Sequence, residues 1–129
     1  MVASPVAGTT YTLSSDATAT VEMTMGEGFS SVVVGDLDLD GQADLVVGAP
    51  TKSSGDGAGY LFLGPVEGDL ETRSADGQFD GSSSEYAGFA LASCDVDADG
   101  AAELYLSAPL DDSEASGGGG LYALHAIAW

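Results

Sequence analysis

Two nine-residue stretches carry the residues with chemical potential. The first reads Asp36-Leu37-Asp38-Leu39-Asp40-Gly41-Gln42-Ala43-Asp44, and the second Asp95-Val96-Asp97-Ala98-Asp99-Gly100-Ala101-Ala102-Glu103. Each holds carboxylates at its positions 1, 3, 5 and 9. Such groups converge only if the loop curls, and like charges held that close repel unless a cation lies among them. A hard divalent ion with about six or seven oxygen ligands answers that requirement, and calcium is the natural candidate. Glycine at position 6 (Gly41, Gly100) permits the sharp turn, and the carbonyl at position 7 supplies another oxygen. The expected ligands are Asp36, Asp38, Asp40, Gln42 and Asp44 for one Ca²⁺, and Asp95, Asp97, Asp99, Ala101 and Glu103 for a second. The longer Glu103 side chain must fold back to reach an ion, so the second site is expected to be the weaker.

Two other readings of these loops compete. An EF-hand needs a glutamate at position 12 and flanking helices. Position 12 is Val47 in one loop and Leu106 in the other, and both flanks have strand character. An ordinary acidic hairpin turn explains one Asp-Gly pair, but not two loops in register. Other chemistry is thin. His125 is the only histidine and has no cysteine nearby, so a zinc or catalytic role is not expected. There is no nucleophile elbow and no phosphate loop followed by lysine. Asp56, Asp69, Asp111, Asp112 and Glu114 are expected to be solvated loop residues.

The elements that would position the loops recur with them. Gly28-Phe29 precedes the first loop and Gly88-Phe89 the second. Ala49-Pro50 and Ala108-Pro109 follow. After each comes a Gly/Asp-rich turn and an apolar run, Gly59 to Leu63 and Gly120 to Leu124. Short runs rich in Val, Leu, Phe and Tyr predict strands at Phe29 to Val34, Asp44 to Val47, Tyr60 to Leu63, Phe89 to Ser93, Leu104 to Ser107 and Leu121 to Ile127. No window keeps a helical period over three turns. The chain is therefore expected to be all-β. Thr72 to Phe79 would be an outer fourth strand of the first repeat. Ala17 to Met23 would be the same strand of a preceding unit, and Thr9 to Leu13 that unit's third strand. Four antiparallel strands in about 60 residues make a β-propeller blade.

The combined pattern resembles the FG-GAP repeat of integrin alpha-chain β-propellers and their bacterial relatives, over about residues 26 to 125. Gly28-Phe29 and Gly88-Phe89 stand at the Phe-Gly position in reversed order. Val47-Gly48-Ala49-Pro50 matches the Gly-Ala-Pro element, and Leu106-Ser107-Ala108-Pro109 departs from it by serine for glycine. Asp36, Asp38, Asp40 and Asp44 match the family's calcium loop position by position. Asp95, Asp97 and Asp99 match too, with Glu103 replacing aspartate. The resemblance implies about two four-stranded blades, each with calcium in the hairpin between its first two strands. Residues 26–85 would form blade 1 and 86–129 blade 2 without its outer strand. Residues 1–25 would supply outer strands of a preceding blade or an edge-pairing segment.

Bulk properties narrow the function. The 129 residues suit one domain. With 21 acidic residues against two basic ones, the formal net charge is -19. That opposes nucleic-acid binding and docking on an anionic membrane, and no run is long enough to insert in one. Met1 to Leu13 does not read as a signal peptide. Cys94 stands alone in an apolar run, as a small core residue would. With no asparagine, N-glycosylation is excluded.

The reading is a calcium-binding segment for adhesion or for protein or glycan recognition, outside the cell or at its surface, without catalysis. Extracellular calcium modules bind with dissociation constants on the order of 10⁻⁴ to 10⁻³ M, which fits that location. A calcium-hardened spacer in a surface assembly, or an accessory domain of a larger secreted enzyme, are the alternatives. An open edge at one end and spare strands at the other predict self-association, with a trimer the simplest ring, or pairing with further blades.

Overall fold

The structure, a computed structural model, describes residues 7–8, 10, 12–114 and 116–125. Nine strands lie within them: β1 (Ala19–Glu22), β2 (Ser31–Gly35), β3 (Asp44–Ala49), β4 (Ala58–Phe62), β5 (Gly68–Glu71), β6 (Gly77–Asp80), β7 (Leu91–Cys94), β8 (Glu103–Ala108) and β9 (Gly120–Leu124). Among the described residues helix is confined to a turn at Leu13–Asp16, a 3₁₀ turn at Thr72–Ser74, and Lys52–Gly55, which is broken by left-handed Ser53 and Ser54. The chain is thus mostly β, as its short β-branched and aromatic runs between Gly, Asp and Ser dictate. No helix among the described residues is long and apolar enough to cross a membrane.

The first repeat forms a four-stranded antiparallel sheet in the order β2-β3-β4-β6. The second forms a three-stranded antiparallel sheet, β7-β8-β9. A third, two-stranded sheet pairs β1 with β5 in parallel, Val21 opposite Leu70. So the expected strand at Ala17 to Met23 forms, and its partner is a segment of the first repeat itself.

Side-chain alternation on β3 and β4 makes the four-stranded sheet the middle of three layers. Val47, Ala49, Ala58, Tyr60 and Phe62 point one way and pack against Val21, Met23, Val66, Leu70 and Ala75. Val46 and Leu61 point the other way, onto Leu104 of the second sheet, with Val33, Phe79, Leu91 and Leu124 around them. Leu61 and Leu104 are fully buried, each worth about 2 kcal/mol of transfer free energy.

Besides this side-chain packing, a close backbone approach locks the two repeats together. Gly88 sits at φ +82 with its carbonyl against Gly48, so a Cβ on Gly48 would lie 2.0 Å from that oxygen. The hydroxyls of Ser30 and Ser31 donate to the same carbonyl at 2.9 and 3.2 Å. The Gly-Phe element of one repeat thus docks on the Gly-Ala-Pro element of the repeat before it. Ser107, the serine-for-glycine departure, holds the position of Gly48 in the second sheet. No repeat docks there among the described residues, and its hydroxyl accepts a hydrogen bond from the Ala90 N–H at 2.9 Å.

Several expectations need correction. The first strand of each repeat starts two residues later than the apolar run suggests, at Ser31 and Leu91, leaving Phe29 and Phe89 largely exposed. The outer strand spans Gly77–Asp80, not Thr72 to Phe79, because the chain first makes β5 and the 3₁₀ turn. Cys94 is exposed rather than in the core. On β7 Leu91 turns toward the middle layer, and Cys94, three residues on, falls on the opposite, uncovered face. In the third strand Ala49 pairs with Ala58 and Ala108 with Gly120, so Tyr122 rather than Leu121 is the counterpart of Tyr60. Of the strand expected at Thr9 to Leu13, Thr9 and Tyr11 lie outside the described residues, and Leu13 opens the helical turn. Ile127, the expected end of the last strand, also lies outside them.

Candidate metal centres

Each acidic stretch is the connection between the first two strands of its sheet, β2 to β3 and β7 to β8. The two loops share one backbone path and one set of backbone-to-carboxylate hydrogen bonds. The backbone turns left-handed at position 4 (Leu39 φ 67, Ala98 φ 62) and at position 6 (Gly41 φ 87, Gly100 φ 96). The position-6 N–H donates to the position-1 carboxylate, Gly41 to Asp36 Oδ2 at 3.0 Å and Gly100 to Asp95 Oδ2 at 2.9 Å. The position-5 N–H reaches position 3, Asp40 to Asp38 at 3.1 Å and Asp99 to Asp97 at 3.2 Å. The position-7 N–H reaches position 5, Gln42 to Asp40 at 2.7 Å and Ala101 to Asp99 at 2.8 Å. These bonds hold the carboxylates inward without neutralising them, which suits an oxygen-seeking cation.

The loops differ at position 9. In the first, oxygens of Asp36, Asp38 and Asp40 lie within 4.8 Å of one another, and Asp44 stands outside that group. Asp44 is fully buried, and its two oxygens accept the N–H of Leu37 at 2.7 Å and of Gly64 at 2.9 Å. In the second, Glu103 joins Asp95, Asp97 and Asp99 in one cluster. Its extra methylene lets it reach back while Oε2 still accepts the Val96 N–H at 2.9 Å. The length of Glu103, expected to weaken the second site, is what completes its cluster of four. The first loop has a different advantage: Leu37 is buried against the second sheet, whereas its counterpart Val96 is exposed.

One atom tests whether these residues suit a cation. Asp36 Oδ1 is buried and has no hydrogen-bond partner among the described residues. A buried carboxylate oxygen without a donor costs about 1–3 kcal/mol or more by desolvation, and a calcium ion in the Asp36–Asp38–Asp40 group would remove that cost. Asp36, Asp38 and Asp40 would hold the first ion, and Asp95, Asp97, Asp99 and Glu103 the second.

Two polar residues have roles that the sequence reading missed. Asp111 is buried, not solvated: Tyr122 donates to its Oδ2 at 2.6 Å and the Ser113 N–H to Oδ1 at 2.9 Å. The Tyr122 hydrogen bond holds the Asp111 carboxyl below its usual range, and the same bond pushes the Tyr122 hydroxyl up to about 12. Glu27 accepts hydrogen bonds from the hydroxyls of Tyr60 and Thr72 and ties the N-terminal segment to the middle sheet. Tyr and an acidic residue well separated in sequence gave no local signal for either pairing.

A family model of the FG-GAP repeat matches residues 28–62. The match takes in β2, the first acidic loop, β3 and β4, and stops short of the second loop. Comparison with curated proteins finds no match.

Proposed function

We propose that this chain is a calcium-stabilised segment of an FG-GAP β-propeller that works outside the cell as a binding module and performs no chemistry. The buried, partnerless Asp36 oxygen within a three-carboxylate loop is the observation that carries the calcium assignment. The FG-GAP match over residues 28–62 supports the propeller reading. So does a four-stranded sheet covered on both faces and joined to the next repeat by paired glycines, since blades in a ring stack in that way. Calcium supplies the charge that lets the loops close. The backbone N–H groups of Gly41 and Gly100 aim the leading carboxylates before it binds. The blades would then present rigid loops to a protein or glycan.

Calcium titration by calorimetry tests the assignment. The wild-type chain is expected to take up calcium, and Asp36→Ala to lose one binding event while keeping its far-ultraviolet circular dichroism. Absence of calcium uptake at millimolar concentration by the wild-type chain overturns it.

Ser107 bears on assembly. A ring of identical copies would repeat the Gly48–Gly88 docking at each junction, and at the second sheet a side chain stands where the incoming carbonyl needs room. The reading that follows is pairing with further blades of different sequence, in place of a symmetric trimer. Sedimentation of the purified chain in calcium should give a species smaller than a trimer. A stable three-copy ring overturns this.

A further inference from the structure

We propose that the second loop, joined by His125, is a site for a borderline transition cation such as Zn²⁺ or Co²⁺, and so differs in class from the first. The proposal rests on the reading that these loops hold cations, and departs from it in which ion the second one takes. Pairing of β8 with β9 sets Leu104 opposite Leu124, which brings His125 beside Glu103. Ligand atoms of Asp97, Glu103 and His125 all lie within 4.8 Å of one another.

The position-9 carboxylates separate the two loops. Both oxygens of Asp44 are consumed by backbone N–H groups. Glu103 is 1% exposed, its Oε2 accepts the Val96 N–H, and its Oε1 accepts no hydrogen bond among the described residues. That oxygen instead faces His125 Nδ1 at 3.7 Å. A charge-assisted hydrogen bond between the two would close to about 2.7–2.9 Å, so this spacing, within the reach of an ion pair, is not that of a hydrogen bond. Two ligands of one zinc, each at about 2.0–2.2 Å, sit roughly 3–3.6 Å apart, so a small closure brings Oε1 and Nδ1 onto a shared ion. Imidazole nitrogen beside two carboxylates suits zinc and its neighbours, whereas an all-oxygen set suits calcium. The first loop offers no nitrogen ligand. His125 is largely exposed, so it can reorient without disturbing the core.

Cobalt(II) is the probe, because its visible absorption reports nitrogen ligation and low coordination number. The full chain is titrated with cobalt chloride in the presence of calcium, and His125→Ala is titrated in parallel. The wild type is expected to bind one Co²⁺ with a visible band. The variant is expected to bind it at least about tenfold more weakly and with an altered spectrum. Equal affinity and spectrum in the two proteins, or no cobalt uptake by the wild type, overturns the proposal. Glu103→Gln, which keeps the side-chain volume and hydrogen-bonding capacity, should also weaken cobalt; unchanged binding there overturns the role of Glu103. Calcium heats measured on both proteins separate the two readings: their absence sinks the calcium assignment while the cobalt result stands independently.

Discussion

Chelating calcium is expected to lower the melting temperature of the protein by about 10 °C, and adding the ion back to restore it. The chain carries 21 acidic residues against two basic ones, and seven of those carboxylates are drawn into two clusters. Without a cation the clusters repel, and the buried Asp36 oxygen stays unsatisfied. With calcium at about a hundred times its dissociation constant, one site adds about 2.7 kcal/mol to folding stability by mass action. Each kcal/mol shifts the midpoint of a domain this size by about 4 °C. Thermal scans followed by circular dichroism, with and without chelator, measure the shift. A midpoint indifferent to chelator removes the structural role assigned to the ion.

Replacing Gly48 by alanine is the second large effect. The added Cβ meets the Gly88 carbonyl at 2.0 Å and the Ser31 hydroxyl at 2.7 Å. The serine can rotate away, but the carbonyl is backbone, held by Ser30 and Ser31 and by the left-handed turn at Gly88. Relief requires the two repeats to part, which opens the cluster of Val46, Leu61 and Leu104 between them. The expected loss is about 3 kcal/mol or more, above the usual cost of overpacking. Urea unfolding of Gly48→Ala against wild type measures it. The mirror substitution, Ser107→Gly, forfeits the hydrogen bond to Ala90 and adds the backbone entropy of glycine in a strand, at an expected total cost of about 1–2 kcal/mol. If the two substitutions cost the same, the glycine junction is not what joins the repeats.

The sequence by itself determined whatever depends on neighbours a few residues away. Alternating carboxylates with glycine at position 6 fold into the same hairpin loop twice, because every hydrogen bond the two loops share spans two to seven residues. Short β-branched runs between turn residues placed six strands of the two repeats to within a few residues, though not the outer strand of the first, and the recurrence of the landmarks revealed their shared layout. The tertiary structure decided what depends on partners brought from far along the chain. Gly64, twenty residues on, takes an oxygen of Asp44, whereas strand pairing delivers His125 to the free oxygen of Glu103. Loops that look equivalent in sequence therefore gather different sets of potential ligand atoms. Parallel pairing of β1 with β5, burial of Asp111 by Tyr122 and exposure of Cys94 belong to the same class. So does the need for glycine at 48 but not at 107. No local pattern encodes a neighbour's backbone arriving at a given point, and at Gly48 that arrival leaves no room for a single methyl group.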